Sequence, residues 1–474
     1  MEAKTEETSS GRASGKALEA EPLELESGGD TKAYKRSTTR HEEEPTGSWL
    51  RGTWLLATST AQPTLLGLPF GIAALGWPGG MVVLVVSGLA TGYFNTLISS
   101  LFEYGGVRNL TYRDLAHHVM GQRHRFAYHF VLLLQFTVII GVGIANLILA
   151  GQCLQSIYAL YCGDSCTVKN YGWTFIAGLC LMIVAQLPSM SRAELVTLMT
   201  TVFLCTYSII AVVLAGTQGG GKGADYSIPG NTINRVMNGF NALGIVAFCY
   251  ANNIIPEIQA TLRPDPATGS AVPPMKKAVL ITTSLVSAVY IIVSVVGYWA
   301  YGNAVGGFLL DMLSHPAWLL TLAYIMCVIQ LLVGEQVVEF VMFSSWEARF
   351  VRRFHRFKWL GREVTDAEGR TIRVPSRWTM LLIRVPYDLV ITVVAAAFPF
   401  FSEIMGFVGA VGLTPLCFVM PVALHLVARG GSMSRMLWWF HVALATAFAG
   451  CGSLATVGSV RSIVLAIQQH DFFS

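Results

Sequence analysis

Charged residues are scarce in this sequence. They make up 13% of its 474 residues, whereas 53% are hydrophobic. Soluble domains carry about 25% charged residues, so the composition excludes an ordinary soluble protein and indicates several membrane spans. Crossing a bilayer takes roughly 20 apolar residues, and we predict an all-α integral membrane protein with eleven such spans. They lie at about 54–75, 79–102, 127–160, 172–188, 193–216, 235–262, 276–301, 317–344, 378–399, 404–427 and 436–460.

The chain also lacks the residue patterns of metal centres and of common active sites. No His/Cys spacing resembles a metal site, and no Ser/His/Asp set or acidic pair recurs on facing spans. The net charge of +4 comes from basic residues spread between spans, which argues against a nucleic-acid partner. A channel would show rings of like charge or a repeated filter motif. We therefore predict a protein that is neither an enzyme nor a channel, with no metal and no cofactor.

The ends and loops of the chain predict its topology. Residues 1–52 hold eleven acidic and eight basic residues and no apolar run, which predicts a disordered cytosolic tail that regulators could bind. Loops on one side of the bilayer carry 19 Lys and Arg against four on the other, so the positive-inside rule puts the N-terminus in the cytosol. The transmembrane domain is expected over 53–466, with a basic cytosolic loop at 346–377. The short tail 467–474 is then outside.

Two of the predicted spans are interrupted by polar residues and proline. The first span contains the run Ala61-Gln62-Pro63-Thr64, and the sixth contains Asn252 and Asn253 shortly before Pro256. Unwound backbone is tolerated at membrane depth only where it is buried in protein or lines a cavity. Matching interruptions in two halves are typical of secondary transporters built from inverted repeats. We predict a LeuT-type arrangement, in which spans one to five and six to ten form the repeats and span eleven is an addition.

The ends of broken helices suit a substrate with two charges. Helix N-termini attract a carboxylate, whereas C-termini and unwound carbonyls attract an ammonium group or another cation. An amino acid has both charges. We predict substrate contacts from residues in or beside the breaks and on span three, namely Ala61, Gln62, Pro63, Thr64, Asn146, Phe248, Asn252 and Asn253.

Each group of predicted contacts also has a structural interpretation. Gln62, Pro63 and Thr64 would also suit a simple proline kink. The small residues around Asn146 would also suit close helix packing.

Acidic residues at membrane depth are expensive and are therefore candidates for function. Glu335 lies near the middle of span eight and is our first candidate for proton coupling, with a satisfied buried acid as the alternative. Glu257 follows the break in span six. It would either stabilise the half-helix that it begins or exchange the coupled proton. Arg384 and Asp388 share a helical face in span nine, which predicts a structural pair near the cytosolic end, with a contribution to an inner gate as the alternative.

Cysteine usage allows one small bridge. Seven of the nine cysteines lie within spans, where a free thiol behaves as a small apolar side chain. Cys162 and Cys166 instead flank a short outer loop, where an oxidising exterior would permit a disulfide. Two free thiols are the alternative.

Several motifs in a fixed order give the sequence a family resemblance. It resembles the amino acid/auxin permease family, and in particular the plant GABA-transporter and proline-transporter branch. The segments that carry the resemblance are 66–70, 75–77, 149–154, 255–262, 297–303 and 398–401. The resemblance implies an eleven-span symporter driven by the proton gradient, which carries amino acids or amino-carboxylates such as GABA, proline or betaine-like compounds. An auxin or broad-range amino acid carrier and a transporter-derived nutrient sensor are the alternatives. The plasma membrane is the expected location, and a vacuolar or other internal membrane is the alternative.

Overall fold

The chain is almost entirely helical in the residues that the computed structural model describes, which are 47–121, 125–162, 168–186, 194–219, 223–354, 356–365 and 371–469. The α-helices are α1 (Trp49–Thr60), α2 (Leu68–Leu101), α3 (Tyr112–Met120), α4 (Arg125–Cys162), α5 (Asn170–Val184), α6 (Glu194–Gln218), α7 (Thr232–Tyr250), α8 (Ile255–Ala260), α9 (Val272–Tyr301), α10 (Ala317–Arg353), α11 (Arg377–Ala397), α12 (Phe401–Val408), α13 (Met420–Arg429) and α14 (Arg435–Gln469).

Eight helical segments in the described ranges are long and apolar enough to cross a membrane. A ninth helix, α5, is apolar but shorter, and one of the eight segments runs from Pro63 to Gly106. That segment contains the second half of the first predicted span and the whole of the second. The predicted sixth span is divided between α7 and α8, which together cover Thr232 to Ala260. The count of eleven therefore remains a prediction.

A glycine turn separates the first two predicted spans. The backbone of α2 leaves the helical conformation at Gly76, where φ is 71° and ψ is 169°. This left-handed region suits glycine because it has no Cβ. The next residue, Trp77, packs its ring 4.8 Å from that of Tyr298. The turn falls between the predicted end of span one and the predicted start of span two.

Both predicted helix interruptions are present, so this prediction is confirmed. Helix α1 ends at Thr60, and Ala61 and Gln62 are extended. Pro63 then opens a 3-10 turn that runs to Gly67. Proline has no N–H to donate and its ring restricts the preceding residue, which explains why regular helix stops here. In the sixth span, helix α7 ends at Tyr250, and helix resumes only at Ile255.

Spans six and ten approach each other through glycine. A Cβ on Gly409 would overlap the carbonyl oxygen of Gly244 in α7, and a Cβ on Gly244 would overlap the carbonyl oxygen of Gly406. Gly409 begins a π-helical segment, Gly409–Val419, that joins α12 to α13. Such backbone contact needs small residues on both helices. It fixes α7, the half of span six that lies directly before the break.

The structure differs from the prediction at the chain's polar segments. Helix α1 begins at Trp49, inside the predicted disordered tail, because the Ser48 hydroxyl caps it and Lys277 lies over the Trp49 ring. Residues 1–46 lie outside the described residues. At the other end, α14 continues to Gln469, beyond the predicted boundary at 466.

The basic loop contains regular structure that the all-α prediction missed. Helix α10 extends to Arg353, and two antiparallel strands follow, β1 (Gly361–Thr365) and β2 (Thr371–Pro375). Val364 pairs with Ile372 in this hairpin. Branched residues of this kind favour strands, so the local sequence contains the signal.

Candidate functional site

The two breaks are held together by one asparagine. The Asn252 side chain donates from Nδ2 to the hydroxyl oxygens of Ser59 and Thr60, at 2.8 Å each. Its Oδ1 accepts from the backbone N–H of Ile254 at 3.1 Å. Asn252 is 4% exposed. The last turn of α1 and the break in span six are therefore one hydrogen-bonded unit.

Side chains from spans eight and seven satisfy the unwound backbone. Gln330 donates from Nε2 to the carbonyl oxygen of Ala61 at 2.7 Å. Tyr290 donates from its hydroxyl to the carbonyls of Thr60 and Cys249, at 3.1 and 3.0 Å. An unsatisfied carbonyl at this depth would cost several kcal/mol. These contacts explain how the chain tolerates unwound segments in its core, and the sequence did not single out either donor.

The remaining predicted substrate residues of the breaks are buried. Gln62, Thr64, Phe248 and Asn253 are 4%, 2%, 6% and 6% exposed. Gln62 packs against Gly334 of span eight, since a Cβ there would lie 2.9 Å from its Nε2. The side-chain nitrogen of Asn253, Nδ2, has no hydrogen-bond partner among the described residues. Buried donors of this kind are rare and need an explanation.

Three buried carboxyl groups form a cluster behind the break in span one. Glu335, Glu339 and Asp388 are each at most 1% exposed and lie near one another. Asn146 of span three donates from Nδ2 to Glu335 Oε2 at 2.7 Å. The predicted substrate residue Asn146 and the predicted proton residue Glu335 are therefore in contact. Sequence analysis missed the roles of Glu339 and Asp388 in this cluster.

The expected pairing of Arg384 with Asp388 is replaced by a different ion pair. Arg384 donates from Nε to Glu347 Oε1 at 2.6 Å, and its Nη1 donates to the carbonyl of Ala185. The two oxygens of Asp388 have no hydrogen-bond partner among the described residues. A shared helical face does not bring these two side chains into hydrogen-bond contact, because Arg384 extends toward α10 and the end of α5. The cluster is left with more carboxyl groups than cations.

Glu257 has a structural partner. Its Oε1 accepts from the backbone N–H of Tyr112 at 3.1 Å. Tyr112 is the first residue of α3, and a carboxylate at a helix N-terminus is stabilised by the helix dipole. This contact joins α8 to α3 and favours the structural role for Glu257 over the proton role.

A cavity of about 490 Å³ lies next to the break in span one, and it is named the outer cavity because the predicted topology places it on the outer side. Gly67, at the end of the 3-10 turn, packs against Gly307 and Phe401, which both line the cavity. None of the predicted substrate residues lines it. Its polar lining could not be predicted from the sequence, because it forms only where loop 302–316 packs against spans three and eight. The polar lining includes Gln152, Asn238, Asn241, Asn303, Asp311, Ser402 and Glu403.

The structure describes one of the two cysteines of the predicted disulfide. Cys162 is disulfide-bonded, whereas Cys166 lies outside the described residues. The pairing of the two residues stays a prediction. The seven cysteines of the spans are free.

We expect Asn252→Ala to impair transport more than it impairs folding. The substitution leaves two hydroxyls and the Ile254 N–H without their shared partner. Each lost buried hydrogen bond costs about 1 kcal/mol, and the two breaks lose their connection. Uptake per folded molecule should fall about tenfold or more. Thr456→Ala is the control, because the hydroxyl of this helical threonine donates to the carbonyl of Gly452 in its own helix and to no other group among the described residues. Uptake of Asn252→Ala at the level of the control would contradict this role.

Comparison with known proteins agrees with this geometry. The family model described as transmembrane amino acid transporter protein matches residues 45–465. The chain is 30% identical to GABA transporter 1 of Arabidopsis thaliana over 442 residues, which cover 90% of this chain and 93% of that protein. It is 28% identical to amino acid permease 1 of the same plant over 455 residues, covering 91% and 92%.

A solved structure shares the fold. A mutant of the manganese transporter of Eremococcus coleocola superposes with a TM-score of 0.53 and 12% identity, covering 89% of this chain and 93% of that one. The likeness shows a shared fold and carries no information on substrate.

Proposed function

Because the chain belongs to the transmembrane amino acid transporter family, we propose that it is a secondary active symporter that imports amino acids or related amino-carboxylates with protons. GABA, proline and betaine-like compounds are the substrates that we propose first. The observation that carries the proposal is the pair of helix breaks joined by Asn252. Broken helices that meet at one point are the substrate sites of inverted-repeat transporters.

Substrate would bind between the two breaks. The buried amide nitrogen of Asn253 lacks a partner and is a suitable donor for the substrate carboxylate. Helix ends and carbonyls of the first break, around Ala61 to Thr64, would surround the other end of the substrate. Asn252 joins α1 to span six in this conformation, so alternating access would require its bonds to Ser59 and Thr60 to open on one side.

The carboxyl cluster would hold the coupled proton. Four acids, namely Glu335, Glu339, Asp388 and Glu347, are buried, and the Arg384 guanidinium group forms its ion pair with one of them, Glu347. Each further unpaired charge would cost several kcal/mol at this depth, so some of these acids hold protons. Glu335 is the member that could link the proton to substrate, because it contacts Asn146 and is adjacent to Gly334, which packs on Gln62.

We also propose a membrane topology. Eleven spans would form two inverted five-span repeats with one added span, the N-terminus in the cytosol and the C-terminus outside. The outer cavity then opens to the outside of the cell, as an importer at the plasma membrane requires. Glu257 would act as a structural acid at the start of α3.

Uptake in cells that lack amino acid transport tests the proposal. Cells that express the chain should take up a labelled amino acid with saturation, and faster at about pH 5.5 than at about pH 7.5. Unlabelled GABA, proline, betaine and auxin should be compared as competitors. Uptake that fails to saturate would indicate a channel, and the absence of any uptake by surface-expressed protein would contradict the proposal.

A further inference from the structure

Asp311 is an acidic side chain of the outer cavity with one oxygen available. It lies in a 3-10 turn, Leu309–Met312, in the loop between α9 and α10. Ser156 and Tyr324 both donate hydroxyl hydrogen bonds to its Oδ1, at 2.9 and 2.8 Å. The other oxygen, Oδ2, has no partner among the described residues, and the exposed side chain lines the cavity.

The two hydrogen bonds fix the position of the carboxylate. Ser156 belongs to span three and Tyr324 to span eight, so the loop is attached to both. Tyr324 is only 2% exposed and cannot move away without opening the core. A carboxylate that is held in place loses little conformational entropy when a ligand binds, which favours binding.

The charge of the cavity favours a cation. Two acids, Asp311 and Glu403, line it, and none of its described lining residues is Lys or Arg. The rings of Phe70, Phe308 and Phe401 also line it and are suitable surfaces for an ammonium group. A concave surface with one sign of charge concentrates ligands of the opposite sign.

The surroundings of Asp311 also favour the binding of a cation. Partial desolvation by the cavity walls raises the pKa of the Asp311 carboxyl above its ordinary value, although the donors Tyr324 and Ser156 act against this rise. An ammonium group at the exposed Oδ2 would favour the charged form of this carboxylate. Asp225 on the same side is different, because Ser227 and Asn303 already satisfy both of its oxygens and it does not line the cavity.

We infer that Asp311 is an outer recognition site for the ammonium group of an arriving substrate, and that it selects cationic and zwitterionic amino acids over anionic ones. The inference rests on the proposed transport of amino acids and adds the charge class that the cavity admits. The substrate would bind Asp311 first and then pass Gly307 and Phe401 to reach the breaks.

Three ligands of similar size separate the charges in a binding experiment on the purified full chain. GABA has both charged groups, butylamine has only the ammonium group and butyrate has only the carboxylate. Asp311→Asn keeps an oxygen acceptor for Ser156 and Tyr324 but removes the negative charge. We expect this variant to weaken binding of GABA and butylamine about tenfold, as expected for one lost charge-assisted contact, and to leave butyrate binding unchanged or stronger.

Two control variants separate recognition from folding and from general surface charge. Asp225→Asn removes a negative charge outside the cavity and should leave all three affinities unchanged. Ser156→Ala removes one hydrogen bond to Asp311 and keeps its charge, so it should retain most of the GABA affinity. If Ser156→Ala loses as much affinity as Asp311→Asn, Asp311 acts only in holding the loop.

The outcomes distinguish this inference from the proposed function. Equal GABA affinity of the parent and Asp311→Asn would overturn the inference, and parental binding of butylamine no tighter than that of butyrate would do the same. Uptake is then measured separately with labelled GABA, lysine and glutamate. Ammonium-dependent binding without uptake of any amino acid would contradict the proposed transport and leave the binding site in place.

Discussion

Glu335→Gln is expected to remove most of the pH dependence of uptake, while Glu257→Gln keeps it. Glu335 is buried in a cluster with more acids than cations, and glutamine keeps the hydrogen-bond acceptor for Asn146 but cannot exchange a proton. Uptake at about pH 5.5 divided by uptake at about pH 7.5 should fall to about one. The measurement is initial uptake normalised to surface protein.

Glu257→Gln is the matched control for this experiment. It removes a partly buried acid from span six, but its role at the start of α3 is structural. We expect lower abundance or affinity with the parental pH ratio, since one acid at a helix N-terminus contributes about 0.3–1 kcal/mol. The Glu335→Gln variant should still exchange labelled for unlabelled substrate when the pH is equal on both sides of the membrane. If Glu335→Gln keeps the parental ratio and Glu257→Gln loses it, the two roles are reversed.

Gly409→Ala is expected to eliminate most of the folded protein. Its methyl group would overlap the backbone carbonyl of Gly244, which cannot move aside as a flexible side chain would. Overpacking in a core typically lowers folding stability by about 1–3 kcal/mol. A clash with the backbone of a neighbouring helix should cost an amount at the upper end of this range. The measurement is the thermal stability of the detergent-solubilised chain and the fraction that elutes as a single species.

Gly450→Ala provides the comparison for Gly409→Ala. Gly450 lies within α14, and a Cβ there would meet no atom within 4 Å. Alanine in a helix interior is favoured over glycine by about 1 kcal/mol, so Gly450→Ala should be as stable as the parent or slightly more stable. Equal stability of the two variants would show that spans six and ten are not in backbone contact.

The positions of the helix breaks could be predicted from the sequence because their cause is local. Pro63 and Pro256 each lie at the start of the helical segment that follows a break, where proline is tolerated because its missing N–H would have no partner in that helix. Gly76 likewise marks the end of the first span through its own backbone preference. Burial of Glu335 followed from its depth within an apolar run.

The partners of these residues could not be predicted, because they depend on how distant spans pack. Gln330 satisfies Ala61 across 269 residues of chain, and Ser156 meets Asp311 across 155. Arg384 shows the limit of local rules, since its neighbour one turn away was the expected partner and Glu347 on another helix is the observed one. The hairpin at β1 and β2 was not predicted, because the many basic residues of this segment obscure the strand preference of its branched residues.

The central claim is that this chain moves an amino acid with a proton through the site at the two breaks. The most direct test uses the purified full chain in sealed vesicles with an imposed pH gradient, acidic on the side of the outer cavity. We predict that labelled GABA or proline accumulates above its external concentration and that collapsing the gradient with a protonophore releases it. Uptake that only equilibrates and does not respond to the gradient, in vesicles that hold the folded parental protein, would contradict the account.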